Sequence, residues 1–181
     1  PRNVSNKNSF LAISRKAAFN LSFGGIPPAW DSETLALVNF MHGKLTCYDA
    51  ASVAEQLDKE LGAQHAPKRT WLDNVAAQLE SQGSLRWHSD LGHPGTFEAV
   101  SLAVCPNAIV AVVKFQDRFR AQPQWFVTAL RSDNGQLIFR QELPREPLPG
   151  GLIIDRHGSA IVSLLTGEIL ACGRPAGQPV P

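Results

Sequence analysis

Two segments of the chain can be laid over one another residue by residue. Gly83-Ser84-Leu85-Arg86-Trp87-His88-Ser89-Asp90-Leu91 and Gly135-Gln136-Leu137-Ile138-Phe139-Arg140-Gln141-Glu142-Leu143 share glycine, leucine, aromatic, basic, acidic and leucine positions at an offset of 52 residues. A second anchor lies upstream of each: Lys44-Leu45-Thr46-Cys47-Tyr48-Asp49 matches Phe126-Val127-Thr128-Ala129-Leu130-Arg131, with Cys47 preceding Ala129 by 82. The two offsets agree once the 33 residues from Ala50 to Gln82 are set against the three from Ser132 to Asn134. A repeat of this length constrains the fold more than any single motif, because each copy has to be one supersecondary unit that buries its faces on its neighbours.

The unit is clearest in its second copy, Ala108 to Leu143. A β-branched run from Ile109 to Val113 leads to a strand from Trp125 to Leu130, and Ser132-Asp133-Asn134-Gly135 turns into a strand from Gln136 to Leu143. This is an antiparallel meander, and Asp133, Asn134 and Gly135 suit its tight hairpin. In the first copy, Leu35 to Phe40 and Lys44 to Asp49 read as a hairpin turning at Met41-His42-Gly43. A third unit runs from Gly151 to Ile154, turns at Asp155-Arg156-His157-Gly158, and continues through Ala160 to Leu165 and Gly167 to Cys172; Ala129 and Ala171 are 42 apart. Periods of roughly 40 to 50 residues with several strands each are those of β-propeller blades. The expected class is therefore all-β: antiparallel four-stranded blades of a β-propeller, incomplete at about two to three blades, with a helical hairpin inserted. Residues 34–173 hold the blades and 50–82 the insertion. Residues 1–33 form a poorly patterned lead-in with a strand at Phe10 to Ile13 and a loop from Ser22 to Trp30, and 174–181 a Pro/Gly-rich tail.

Within the insertion, Ser52-Val53-Ala54-Glu55 reads as a capping box, Val53, Leu57 and Leu61 share one face, and Gly62 is the expected stop. Thr70 is placed to cap a second helix carrying Leu72, Val75 and Leu79 and ending at Gly83. The hairpin is expected to pack its leucine face on the propeller edge, the alternative being a lid or partner-binding element.

The chain has 181 residues, is 44% hydrophobic and carries a net charge of +1 with no block of like charges. It can bury a sizeable core, and neither a nucleic-acid surface nor an anionic membrane is implied. No apolar run approaches the roughly 20 residues of a transmembrane helix, and the first ten residues are too polar for a signal peptide. The sequence begins with proline, so the expectation is a removed initiator or a longer upstream sequence, with a periplasmic or extracellular compartment favoured for the full-length parent. Cys47, Cys105 and Cys172 are scattered and form no C-x-x-C, which points to buried thiols in preference to a disulfide, zinc site or redox pair.

The succession L-x-C-Y-D-A (Leu45 to Ala50), G-x-L-x-W (Gly83 to Trp87) and P-L-P-G-G-L-x-x-D-R-x-G (Pro147 to Gly158) resembles the pyrroloquinoline-quinone-like, or quinoprotein-like, repeat β-propellers, across roughly residues 34 to 173. The resemblance implies that Trp87 and Phe139 pack against neighbouring blades, and that a full ring has many more blades than this chain supplies. A fan of three blades leaves apolar faces and strand edges open, so the implied partners are missing propeller blades, another protein, or further copies of the chain. Quinone-dependent members of the broad family hold their cofactor with an adjacent cysteine pair, a stacking tryptophan and ligands to calcium. The chain has no adjacent cysteines, so no cofactor is expected.

Candidate chemistry is sparse. His42, His65, His88, His93 and His157 form no H-x-x-x-H, and the densest group, His88, Asp90 and His93, is expected to spread over both faces of a strand. No G-x-S-x-G occurs, Gly24-Gly25 and Gly150-Gly151 lack the context of a phosphate cradle, and Asp90 and Glu142 occupy one repeat position, which points to structure and not to an acid/base pair. The surface feature that stands out is Lys114 to Pro123, where Phe115, Arg118, Phe119 and Arg120 have the composition of a binding rim, the alternative being that the phenylalanines tuck under a long hairpin. The leading expectation is a non-enzymatic interaction or scaffold module belonging to a longer protein, with this loop and the helical insertion at one end of the channel. The alternatives are part of a quinone-dependent type of oxidoreductase whose site lies on missing blades, and a ligand-sensing domain.

Overall fold

β8 (Ala108–Gln116) is buried along most of its length, and its two faces go to two different cores. Ile109, Ala111, Val113 and Phe115 face one way; Val110 and Val112 face the other. A strand with no polar face belongs in the middle layer of a stack. The computed structural model describes residues 9–13, 18–22, 29–39, 44–63, 83–91, 96–117, 119 and 122–173. Among them are one helix and four antiparallel sheets, three of which stack.

The first sheet joins β3 (Ala29–Trp30), β4 (Thr34–Asn39), β5 (Lys44–Asp49) and β6 (Leu85–Asp90) in chain order. The second joins β7 (Thr96–Cys105), β8, β9 (Gln124–Arg131) and β10 (Leu137–Leu143), again in chain order. The third has β11 (Pro147–Ile154), β12 (Ala160–Leu164) and β13 (Ile169–Cys172). β1 (Ser9–Ile13) and β2 (Ala18–Ser22) form a separate two-stranded ribbon that includes the strand expected at Phe10 to Ile13. The mostly-β class with up-and-down sheets thus agrees with the sequence reading. Thr70 and the second helix expected after it lie outside the described residues, as do His42, His65, His93, Arg118, Arg120 and the tail.

The repeat survives to the level of single pairs. Cys47 pairs with Trp87 and Tyr48 with Leu85, while Ala129 pairs with Phe139 and Leu130 with Leu137. In both sheets one residue is extra, Arg86 in the first and Ile138 in the second, so the β-bulge recurs at the repeat offset. The bulge keeps the aromatic that follows it on the face turned toward the next sheet.

Two contacts lock the layers. The Trp87 indole donates to the Ser132 carbonyl at 2.9 Å, in the β9–β10 turn of the second sheet. It also lies so close to Gly135 (φ +72°) that a Cβ there would stand 2.5 Å from the ring. Phe139 repeats the move one layer on: it packs into the second core, and a Cβ added at Gly173 would stand 3.9 Å from its ring. Arg140 ties the first and second layers, donating to the Leu91 carbonyl and to Thr128 and lying over the Phe126 ring. Burial lowers its pKa from the ordinary guanidinium value without discharging it.

The helix α1 (Ala50–Ala63) departs from expectation at both ends. Asp49, the last residue of β5, is its cap: one carboxylate oxygen accepts from the Ser52 amide at 2.8 Å and from the Ser52 hydroxyl at 2.7 Å. Ser52 is therefore inside the first turn and not the cap. Gly62 does not end the helix, which runs on to Ala63. All three cysteines are free thiols, Cys47 and Cys172 buried and Cys105 half-buried, and desolvation pushes the Cys47 pKa up to about 11.

Candidate functional site: a cleft at the loop end of the second and third sheets

The strand registers assign each connection to an end. α1 leaves β5 at Asp49, whose amide bonds the Ser84 carbonyl as the Arg131 amide bonds Gln136. The insertion therefore springs from the end that carries the Ser132–Asn134 turn. Residues 117–123 join the opposite ends of β8 and β9, where Phe115 pairs with Gln124. This corrects the expectation that the loop and the insertion share one end.

The four rim candidates separate. Phe115 belongs to β8, is 5% exposed and packs in the first core, so it follows the tucked-in alternative and is not part of an exposed rim. Its alternation with Val113 and Ala111 on one strand face is the cause. Phe119 is 95% exposed, and its amide donates to the Asp117 carboxylate in the loop. Arg118 and Arg120 lie outside the described residues.

The same end holds a cleft of about 800 Å³, open to solvent, formed where three connections converge. Gln122, Pro123, Gln124 and Trp125 come from the start of β9; Glu142 and Leu143 from the end of β10; Pro144, Arg145 and Glu146 from the β10–β11 link; Leu165 and Thr166 from the β12–β13 turn. Trp125 pairs with Leu143, and both reach the second core, so the partly buried indole is anchored from below. The Gln124 amide donates to the Glu142 carboxylate at 3.0 Å. The Leu165 amide donates to the Glu146 carbonyl at 2.9 Å, joining two walls.

The chain matches no protein-family model and no curated protein sequence.

The remaining chemistry-bearing groups are dispersed. His88 and Asp90 are both exposed on β6, on one face. The Asp155 turn is a hairpin, as expected: one carboxylate oxygen accepts from the His157 and Ser159 amides at 2.8 Å each. These bonds hold the Asp155 pKa below the ordinary carboxylate range. No group of three or more His, Cys, Asp or Glu side chains among the described residues could hold a metal ion. No helix among them is long and apolar enough to cross a membrane.

Sequence reasoning singled out Phe119 and passed over most of the cleft. Glu142 was visible only as a repeated acidic position, and Gln124, Trp125, Arg145 and Thr166 carry no spacing that links them. They meet because the meander brings three remote connections to one end.

Proposed function

We propose that the chain is a segment of a β-propeller that works as an interaction and scaffolding module, its partner being a further sheet of the same kind. That sheet comes from the rest of a longer protein or from another copy of the chain.

The observation that carries this reading is the difference between the two ends of the stack. On the first sheet, Thr46 and Tyr48 point away from the second sheet, yet they are only 8% and 1% exposed, and Val53 of α1 is buried nearby. On the third sheet the outward face is more open among the described residues. Ile153, Ile161 and Ala171 stand opposite one another across its three strands, with Ser163 and Ile169 in the next row. Ile153 is 63% and Ile169 69% exposed, and the face carries no charge. The third sheet is also one strand short of the other two, and β13 has no second neighbour among the described residues. Support for the propeller form comes from the layer-to-layer docking of Trp87 and Phe139, since a step repeated twice calls for a third. The exposed Phe119 loop is the element of this module available to a different protein partner.

Light scattering on the wild-type chain and on Ile153→Lys/Ile169→Lys tests the reading. The expected result is a self-associated wild type and a monomeric, folded double variant, because two lysines cannot be buried unpaired. A wild type that is a well-behaved monomer, with no dye binding at the third sheet that the double variant removes, would overturn it.

A further inference from the structure

We propose that Asn134–Gly135 is a modification site, a self-deamidating pair that the docking of Trp87 on its turn holds in check. The inference goes beyond the propeller reading and does not rest on it, since it concerns only the seam between the first and second sheets.

Asn134 and Gly135 form the single Asn-Gly pair in the sequence. The chemistry requires the Gly135 backbone nitrogen to lose its proton and attack Cγ of the Asn134 side chain. A nitrogen–carbon bond forms, ammonia leaves from the side-chain amide, and the cyclic imide is opened by water. Opening on one side gives an aspartyl residue, and on the other an isoaspartyl residue whose backbone runs through the former side chain. Water is the co-reactant, and glycine puts no side chain in the way of the nitrogen.

The turn is half arranged for this step. The Asn134 side-chain carbonyl accepts from the Gln136 amide at 2.9 Å, which folds the side chain back along the Gly135 peptide and polarises Cγ. Asn134 is exposed, so water reaches the imide. What opposes the step is the nitrogen's own engagement, because the Gly135 amide donates to the Arg131 carbonyl at 3.0 Å. A nitrogen so bonded keeps its proton, and its peptide plane is fixed.

That bond is held from outside as well. The Trp87 indole donates to the Ser132 carbonyl at 2.9 Å, and its ring lies against Gly135 with no room for a Cβ. Ser132 is also tied to the β7–β8 turn, its hydroxyl donating to the Pro106 carbonyl at 2.8 Å and its amide to the Asn107 carbonyl at 3.3 Å. Deamidation therefore waits for local opening of the turn, and its rate follows the open fraction. The isoaspartyl product lengthens the turn by a backbone atom, so Gly135 can no longer keep both its bond to Arg131 and its place under Trp87. Conversion makes the undocking permanent.

Peptide mass spectrometry of the full chain, aged in mildly alkaline buffer, tests this on folded wild type, urea-unfolded wild type and folded Trp87→Phe. The unfolded chain should convert position 134 about tenfold faster than the folded one, or more. Trp87→Phe keeps a ring in the core but loses the indole donor, and should convert about fivefold faster than wild type. Equal rates for folded wild type and Trp87→Phe would overturn the proposal, as would a folded chain that converts as fast as the unfolded one. If Trp87→Phe does not fold, Gly135 amide exchange in wild type across sub-denaturing urea takes its place: conversion should rise with exchange, and a flat conversion rate would sink the idea. Asn134→Asp carries the new charge without the added backbone atom and should keep the wild-type urea midpoint, whereas the purified isoaspartyl form should unfold at a lower one. Equal midpoints for those two forms would show that the docking does not depend on the turn's length, and the proposed check by Trp87 would fall.

Discussion

Gly83 and Gly135 hold the same place in the repeat and the same left-handed backbone, φ +82° and +72°, yet they do different work. A Cβ on Gly83 meets nothing within 4 Å, whereas one on Gly135 runs into the Trp87 ring. Gly83→Ala should therefore cost only the backbone term, about 1 to 2 kcal/mol. Gly135→Ala adds the displacement of a buried indole and should cost about 2 to 5 kcal/mol in all. Urea denaturation of the two variants, followed by tryptophan fluorescence and far-UV circular dichroism, separates the terms. Equal losses would mean that the indole moves aside freely.

At the scale of elements, the hand-over from β5 to α1 is set by one carboxylate. Asp49 accepts from Ser52 and from Arg86, whose guanidinium lies 2.7 Å away, and these bonds hold its pKa at about 2, against 3.8 ordinarily. The folded state therefore binds fewer protons than the unfolded one between those values. The stabilisation is complete above about pH 4 and is lost as pH falls through about 2. Because the pair is partly solvated, it amounts to roughly 1 to 2 kcal/mol. Asp49→Asn keeps a capping side chain and should flatten the stability profile between pH 5 and about pH 2, read from urea midpoints. Local pattern predicted the β9–β10 hairpin and the third sheet well, because the turns at Gly135, Gly158 and Gly167 are short and glycine-marked. It left β7 unassigned, and the structure supplies the reason: a bulge between Ala99 and Ser101 reverses the alternation, so that Ala99 faces the first core, Val100 the second, and Leu102 and Val104 the first again. A period-2 search loses such a strand. The cap was misplaced by three residues because Ser52 satisfies the same local rule as Asp49, and only the end of β5 decides between them. The cleft was illegible for a different reason, since no local signal marks side chains that converge from three separate links.

At the scale of the whole molecule, burial is greatest in the middle layer and least at the third sheet. Amide exchange should rank accordingly: β8 slowest, with Ile109 to Val113 at or near the global unfolding rate, and the edge of β13 that has no neighbour among the described residues fastest among the stacked strands. Uniform protection across the three sheets would indicate that the third is covered in solution. Trp87 adds an asymmetry between two turns that occupy the same place in the repeat. The turn at Ser132–Asn134 is gripped by an indole from the neighbouring layer. Its counterpart after Asp49 receives no such grip among the described residues and accommodates a long insertion, while Cys47 and Trp87 remain paired across it. The connection between β5 and β6 is thus one that tolerates added length without disturbing the sheet beneath, and the Ser132 turn is one where the same addition would pull two layers apart.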